Sequence, residues 1–344
     1  MDKPDRSVVP DRSVVPFRSV VVVGGAGFIG SHLVRLLLGS VDARDLGVER
    51  VVVYDNFTSG RRWHLDAVSD DPRLEIVEGE VDDLDRLTTA LAGATTVVHL
   101  ASNPDIARAM TDPTIDFDQG TNLTNCVVEA ARRSSVGLVL YASGSGVYGD
   151  LGEHEADETY GPLQPVSTYG ASKLAGEALI SSYCHMFEMR GRAFRFGNVV
   201  GPNQTHGVGF DFVRKLLDDP TRLDILGDGT QSKSYVHVDD VLAAVLLAGS
   251  VAAEPFAVFN VATGDYIAVA EIAALAVDCL GLAPDSVELS FGEANRGWKG
   301  DVPVVRVATD RIRALGWKNR FNSSEALRAS ILSMLDDARA GRLW

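Results

Sequence analysis

From Ser19 to Val261 the chain alternates short β-branched apolar runs with segments of helical pattern, and that rhythm leaves few architectures open. Extended runs fall at Ser19–Val23, Val51–Tyr54, Leu74–Val77, Thr96–Leu100, Leu138–Ala142, Arg192–Phe196 and Ala257–Val261. Helical segments lie between them: one opening within Gly24–Leu38, then Leu84–Leu91, a stretch near Asn122–Arg133, Ser172–Phe187, and Val236–Ala248, which begins as strand or turn. Strands that are apolar throughout are buried on both faces, and an intervening helix supplies the crossover that parallel pairing needs. The pattern predicts an α/β fold, a parallel sheet with helices on both faces.

The rhythm weakens around Gly201–Lys233 and again beyond Thr263, where Gly201, Pro202, Gly207, Gly209, Gly227 and Gly229 punctuate the chain. Residues 201–233 and 263–344 therefore read as a smaller lobe, and residues 17–200 with 234–262 as the larger domain. A chain of 344 residues, 46% of them hydrophobic, has material for both cores. Residues 1–16 hold a direct repeat, DRSVVP at Asp5–Pro10 and at Asp11–Pro16. Two copies of a hexapeptide do not build a solenoid, so this segment reads as a flexible tail outside the fold.

Charge and cysteine content narrow the function. Lys and Arg total 32 against 47 Asp and Glu, a formal charge of -15. No basic patch offsets it, so nucleic acid is not an expected partner. No apolar run reaches the ~18–20 residues of a membrane span, and no signal-peptide pattern opens the chain, so no membrane association is expected. Cys126, Cys184 and Cys279 lack CxxC spacing. Neither a disulfide framework nor a metal site is expected, and a reducing, cytoplasmic setting fits.

Gly24, Gly27 and Gly30 stand three residues apart between the first strand and the first helix. Side chains there would crowd the turn, block a pyrophosphate, or hold the helix off the sheet, while the helix N-terminus favours phosphate oxygens. Asp55 ends the second strand, where a carboxylate can accept from both ribose hydroxyls and would repel a 2′-phosphate. The expectation is a Rossmann-like domain binding NAD rather than NADP. Arg61 and Arg62 follow nearby and read as solvent-exposed or helix-initiating.

Tyr169 and Lys173 lie four residues apart, about one helical turn, so both can face one cleft. An ammonium there can lower the phenol's pKa and hold a cofactor ribose. The phenolate can then take a proton from a substrate hydroxyl while hydride leaves the attached carbon.

These residues carry a resemblance. GGAGFIGSH at Gly24–His32, YDNFTSG at Tyr54–Gly60, HLAS at His99–Ser102, VYG at Val147–Gly149 and YGASK at Tyr169–Lys173 belong to one pattern. RFGNVVGPN at Arg195–Asn203, GDGTQSKSYVHVDD at Gly227–Asp240 and RGWKGDVP at Arg296–Pro303 extend it. From Arg18 to about Ile331 the chain resembles the nucleotide-sugar epimerase/dehydratase branch of the extended short-chain dehydrogenase/reductase family, nearest the UDP-hexose 4-epimerases. The resemblance implies a tightly held NAD in the larger domain, contacted by Gly24, Gly27, Phe28, Ile29, Gly30, Asp55, Asn56, Glu80, Val81, Leu100, Ala101, Ser102, Tyr169 and Lys173. It implies a nucleotide-diphosphate sugar, preferably UDP-linked, in the smaller lobe. Tyr169 would be the general base and Lys173 its helper, with Asn198, Lys233 and Arg296 on substrate phosphates. A homodimer paired through the helices near Asn122–Arg133 and Ser172–Phe187 is a further implication.

The chain departs from the family pattern at informative places. Members usually carry Ser or Thr three residues before the valine of VYG, where Gly144 stands here; Ser143 and Ser145 flank it, and Ser145 is preferred because glycines on both sides free its backbone. The 4,6-dehydratases usually carry Asp and Glu just before that valine, and the uronate decarboxylases a Glu; here these positions are Ser145 and Gly146. Small residues there also suit an enlarged C5 or C6 substituent such as a carboxylate. In place of NxxGTxN the chain has Gly120, Leu123 and Cys126, with Asn122 and Asn125 nearby. His99 and His237 read as structural. The expected reaction is NAD-mediated 4-epimerisation of a UDP-sugar, UDP-glucose/UDP-galactose or the uronate, through a 4-keto intermediate. The alternatives are an atypical dehydratase or decarboxylase using Ser143, Ser145, Glu153 or Glu155, and a non-catalytic NAD or nucleotide-sugar sensor or scaffold.

Overall fold

Valine builds the centre of the sheet. In the computed structural model, which describes residues 16–39, 46–103, 106–298 and 300–342, Val20–Val23 of the first strand are fully buried. Seven strands form the sheet: β1 Ser19–Val23, β2 Arg50–Asp55, β3 Leu74–Glu78, β4 Thr96–His99, β5 Leu138–Gly144, β6 Arg190–Phe196 and β7 Phe256–Val261. Their spatial order is β7-β6-β5-β4-β1-β2-β3 and every pairing is parallel. Val22 pairs with Val53 on one side and Val98 on the other. The order reverses at β1, which opens a crevice beyond the carboxyl ends of β1 and β4. This is the Rossmann-like sheet that the alternation predicts.

The two-residue period of a strand divides these valines between two cores. Val20, Val22, Val51 and Val53 pack under α1 (Phe28–Gly39). Val21, Val23, Val52 and Val97 face the other way, under α2 (Leu84–Ala90), α3 (Leu123–Arg133) and α4 (Thr168–Met186). The second core is thin where α4 crosses β5: a Cβ on Gly176 would lie 2.4 Å from the Tyr141 hydroxyl oxygen. A third core joins α5 (Val208–Asp218) to two later helices, α7 (Val269–Cys279) and α8 (Ser323–Arg339), with α6 (Val238–Val251) lying between them in sequence on the main sheet. Phe212, Ile272, Leu327 and Ile331 fill that core, and Val200 and Tyr235 join it from the larger domain's side. The first copy of the hexapeptide repeat and most of the second lie outside the described residues. Pro16 is described, and its carbonyl accepts from the Thr95 hydroxyl at 2.8 Å.

Helix α4 begins four residues before the hydrophobic pattern suggests, because Ser167 caps it by accepting the Gly170 amide at 3.1 Å. Tyr169, Lys173 and Glu177 then follow at one-turn intervals. Glu177 is buried and accepts from Arg195 of β6 through Nε at 3.0 Å and Nη2 at 2.7 Å, a forked pair. It also accepts from the Ser143 hydroxyl of β5 at 2.6 Å. The Arg195 guanidinium lies over the Tyr148 ring, 4.7 Å from its centroid. One carboxylate thus ties α4 to two strand ends.

Replacing Glu177 with Gln keeps the shape and strands the Arg195 charge in the interior. Breaking a buried pair from one side costs about 3–5 kcal/mol, so denaturant unfolding of Glu177→Gln is expected to show a loss of that order. Glu177→Gln/Arg195→Met is expected to recover part of it, and an unchanged midpoint in the single variant would contradict this account.

Candidate active site

The glycine turn is shaped by close contacts that leave one position open. Gly24 has φ +84°, and a Cβ there would sit 2.7 Å from the Ala101 amide nitrogen. A Cβ on Gly30 would lie 2.2 Å from the Gly24 carbonyl oxygen. Gly27 is different: its Cβ would meet only the Gly24 oxygen, at 3.3 Å. The fold itself asks little of Gly27, so the bare backbone there fits a ligand that must come close. The amides of Phe28, Ile29 and Gly30 lie in the first turn of α1, where no intrahelical acceptor exists.

Neighbouring loops close around this turn. The amides of Leu100 and Ala101 both donate to the Val23 carbonyl, at 2.9 and 3.0 Å. Ser102 Oγ is buried and has no partner among the described residues, as expected of a group awaiting a ligand. Asp55 accepts from the Ala26 amide at 2.9 Å and the Phe57 amide at 2.8 Å, and burial raises its carboxyl pKa against those bonds. Asn56 donates to the Glu80 carboxylate at 2.8 Å, and Tyr54 donates to the Glu80 carbonyl, also at 2.8 Å. Val81 is buried beside them. The first strand's turn and the ends of β2, β3 and β4 therefore meet as one cradle suited to a dinucleotide.

Across the crevice stands the first turn of α4. Lys173 is buried, its ammonium donates to the Ala142 carbonyl at 2.9 Å, and it lies 5.4 Å from the Tyr169 ring centroid. Burial lowers the Lys173 pKa to about 8, against the pull of Asp116. Burial, aided by Asp116, raises Tyr169 to about 12. Asp116 is itself buried, accepting from Asn103 at 3.0 Å and from the Thr168 hydroxyl at 2.7 Å. No sequence signal marks Asp116, whereas Glu177 could have been found from its spacing after Lys173.

The turn 145–148 abuts α4 so closely that a Cβ on Gly170 would be 2.5 Å from the Gly146 carbonyl oxygen. The two candidate serines differ there. Ser143 is buried and its hydroxyl is committed to Glu177. Ser145 is half-buried, with no side-chain bond among the described residues. Gly144 is extended, and an added Cβ would meet nothing within 4 Å. Gly120 lies in a π-helical segment, Phe117–Asn122, pressed by Ser172, whose Oγ would be 2.6 Å from an added Cβ. His99 is buried, bonded to the Thr124 hydroxyl at 3.1 Å, and held neutral by burial at a pKa of about 3. His237 caps α6 by accepting the Asp239 amide.

Lys233 and Arg296 converge on Asp301. Lys233 pairs with its carboxylate at 2.5 Å, and Arg296 donates to its carbonyl at 2.7 Å. Arg296 also reaches Asp150, just after the VYG turn, at 2.6 Å. The Gly152 amide and Arg296 hold the Asp150 carboxyl below its ordinary pKa. Asn198 is exposed on a short strand, its amide group 3.4 Å from the Ser234 carbonyl beside Lys233.

The Lys173 shift has a stability consequence in the cofactor-free protein. Between about 8 and the ordinary 10.5 the unfolded chain keeps this proton and the folded chain releases it. Stability from this group therefore rises with pH through that window, and below it the cost of burying the ammonium is fully present. Lys173→Met is expected to gain on the wild type near neutral pH by at most roughly 3 kcal/mol, an advantage that falls through this window and is lost above about pH 10.5. Denaturant midpoints at the two pH values check this; a pH-independent difference would contradict it.

Comparison with known proteins agrees with this geometry. Residues 20–262 match the profile described as the NAD dependent epimerase/dehydratase family. The UDP-glucose 4-epimerase of Mycolicibacterium smegmatis is 32% identical over 320 residues, covering 90% of this chain and 96% of that one. A crystal structure of a UDP-galactose 4-epimerase superposes with a TM-score of 0.79 at 35% identity, over 93% of this chain and 99% of that one. A double mutant of DesIV, a dTDP-glucose 4,6-dehydratase from Streptomyces venezuelae solved with NAD bound, gives 0.85 at 28% identity, over 93% and 98%. With its parallel sheet, its glycine turn and its paired Tyr169 and Lys173, the chain belongs to the NAD dependent epimerase/dehydratase family of nucleotide-sugar enzymes.

Proposed function

We propose that this protein catalyses reversible 4-epimerisation of a UDP-sugar, UDP-glucose/UDP-galactose or the corresponding uronate, through a 4-keto sugar. The observation that carries the reading is the composition of the reaction loop. Tyr169 and Lys173 are present and adjacent, while Ser145 and Gly146 leave the turn without a carboxylate to eliminate water. Asp116, Glu177 and Asp150, which touch the surrounding elements, are each engaged with other side chains. Glu153 and Glu155 are exposed.

NAD, when bound, supplies the reversible hydride acceptor for the sugar carbon. Asp55 would hold its adenine-side ribose, the first turn of α1 its pyrophosphate, and Lys173 the second ribose, with Asn56, Glu80, Val81, Leu100, Ala101 and Ser102 lining the cradle. The chain's own chemistry is proton transfer. Tyr169 takes the C4-hydroxyl proton, with Ser145 bonding that hydroxyl in place of the side chain absent at Gly144. A phenol at about 12 is protonated at neutral pH, so Tyr169 must first release that proton to solvent to act as the base, and Lys173 is the chain's own cation beside the phenolate. Lys233, Arg296 and Asn198 would anchor the diphosphate while the keto sugar turns, the anion replacing Asp301 and Asp150 at the two cations. Tyr169 then returns the proton to the C4 oxygen as C4 is reduced on its opposite face.

The space beside Gly144 favours substrates with a larger C5 substituent, the uronate included. A homodimer is part of the same reading, and the exposed Met186 and Phe187 at the end of α4 favour pairing there. A cytoplasmic location accords with the three free thiols.

Purified protein given UDP-glucose, UDP-glucuronate and UDP-N-acetylglucosamine separately is expected to yield an isomer of unchanged mass from at least one. Loss of water or carbon dioxide would overturn the epimerase reading, and no turnover of the uronate would remove that substrate. Tyr169→Phe should lower kcat by about 10²–10⁴-fold with KM little changed. Ser145→Ala should cost about 10-fold or more in kcat, whereas an unaffected rate would take Ser145 out of the mechanism.

A further inference from the structure

Asp55 is not alone at the edge of the nucleotide cradle. Its register partner on β3 is Glu78, so two acidic residues stand side by side where the parallel strands end, their backbones about 4.8 Å apart across the sheet. Arg62 lies beside Glu78. It opens a short 3-10 turn, its guanidinium sits over the Phe57 ring at 4.2 Å, and its Nη2 is bound to the Glu78 carboxylate. Phe57 in turn gives its amide to Asp55 at 2.8 Å. Arg62 is thereby held on the residue that pairs across the strands with Asp55, the carboxylate placed to read a ribose.

A guanidinium in that position is the group that a 2′-phosphate requires. Here Glu78 has taken it. The adjoining cleft adds Glu80, Asp82 and Asp83, with Arg86 as the cation in its lining. Resting on the NAD reading above, we propose that Glu78 is a second determinant of NAD over NADP: it sequesters Arg62, which would otherwise receive a 2′-phosphate. Asp55 excludes the phosphate by charge, and Glu78 withholds the residue that would compensate it. Both Arg62 and Glu78 are well exposed, so the pair adds little to stability and Glu78 can be changed without loss of the fold.

The test is a cycle of variants read by binding. Nucleotide released from each purified protein on denaturation is identified by mass, and NAD and NADP affinities are measured by calorimetry on stripped protein. Asp55→Asn alone should weaken NAD and gain little NADP binding, because Glu78 still holds Arg62. Asp55→Asn/Glu78→Gln should bind NADP about 10-fold or more tighter than Asp55→Asn, and adding Arg62→Ala should abolish the gain. Equal NADP affinities with and without Glu78, or a gain that survives Arg62→Ala, would overturn the proposal. Wild-type protein that holds neither nucleotide would instead overturn the NAD reading on which it rests. Thermal unfolding of each variant separates lost binding from lost fold.

Discussion

The forked bond between Glu177 and Arg195 fixes where the first turn of α4 lies against the ends of β5 and β6. Tyr169, Lys173 and Glu177 occupy one face of that helix, so a rotation that broke the buried pair would also swing the phenol and the ammonium out of the crevice. The Lys173 ammonium donates to the Ala142 carbonyl and the Ser143 hydroxyl donates to Glu177, so Ala142 and Ser143, adjacent residues of β5, clasp successive turns of α4. The helix is set by two polar bonds one turn apart. Dispersion alone, between a helix face and a flat sheet, would tolerate sliding. Geometry at the reacting end therefore depends on a charge pair about two turns deeper in the protein.

The same arrangement explains which serine is free. Successive residues of an extended chain face opposite ways, and Glu177 draws the Ser143 hydroxyl inward. The chain turns at Gly144 and Ser145 opens the next short helix, so its side chain belongs to a different local frame. Counting along the sequence could not separate the two hydroxyls, because the decision lies in a contact thirty-four residues away. The strands, by contrast, were legible almost to the residue: a parallel sheet buried on both faces leaves a continuous apolar run that little else produces. The glycine turn was legible because steric demands at Gly24 and Gly30 are absolute. The start of α4 was read late, since its first turn is polar and rests on the Ser167 cap rather than on apolar spacing. The π-helical segment before α3 left no periodic trace, and Asp116 within reach of it was missed for the same reason.

Lys233 and Arg296 are held by the protein's own carboxylates. Lys233 rests on Asp301, and Arg296 bridges Asp301 and Asp150 across the mouth between the lobes. On the reading proposed above, an anionic diphosphate at these cations would exchange one ion pair for another, so its net gain would be smaller than a count of cations suggests. What such an exchange would provide is placement: Arg296 already reaches Asp150, just after the VYG turn, so its side-chain entropy is partly spent.

Selectivity in this protein accordingly comes as much from what each group is prevented from doing as from what it touches. Arg62 could meet a phosphate but is held by Glu78. Ser143 could meet a sugar hydroxyl but is held by Glu177. Asp116 could take a proton but receives two hydrogen bonds, and its field instead pushes Tyr169 up while supporting the charge on Lys173. Each restraint removes one competing chemistry from a cleft crowded with titratable groups. The pair that remains is Tyr169 and Lys173, beside a turn whose small residues, Gly144 and Gly146, would on the proposed reading leave the sugar room to move. A 4-epimerisation, in which the sugar must present both faces of one carbon to the same hydride acceptor, would need that room, whereas an elimination at a fixed carbon would be better served by a rigid acid and base in the same place.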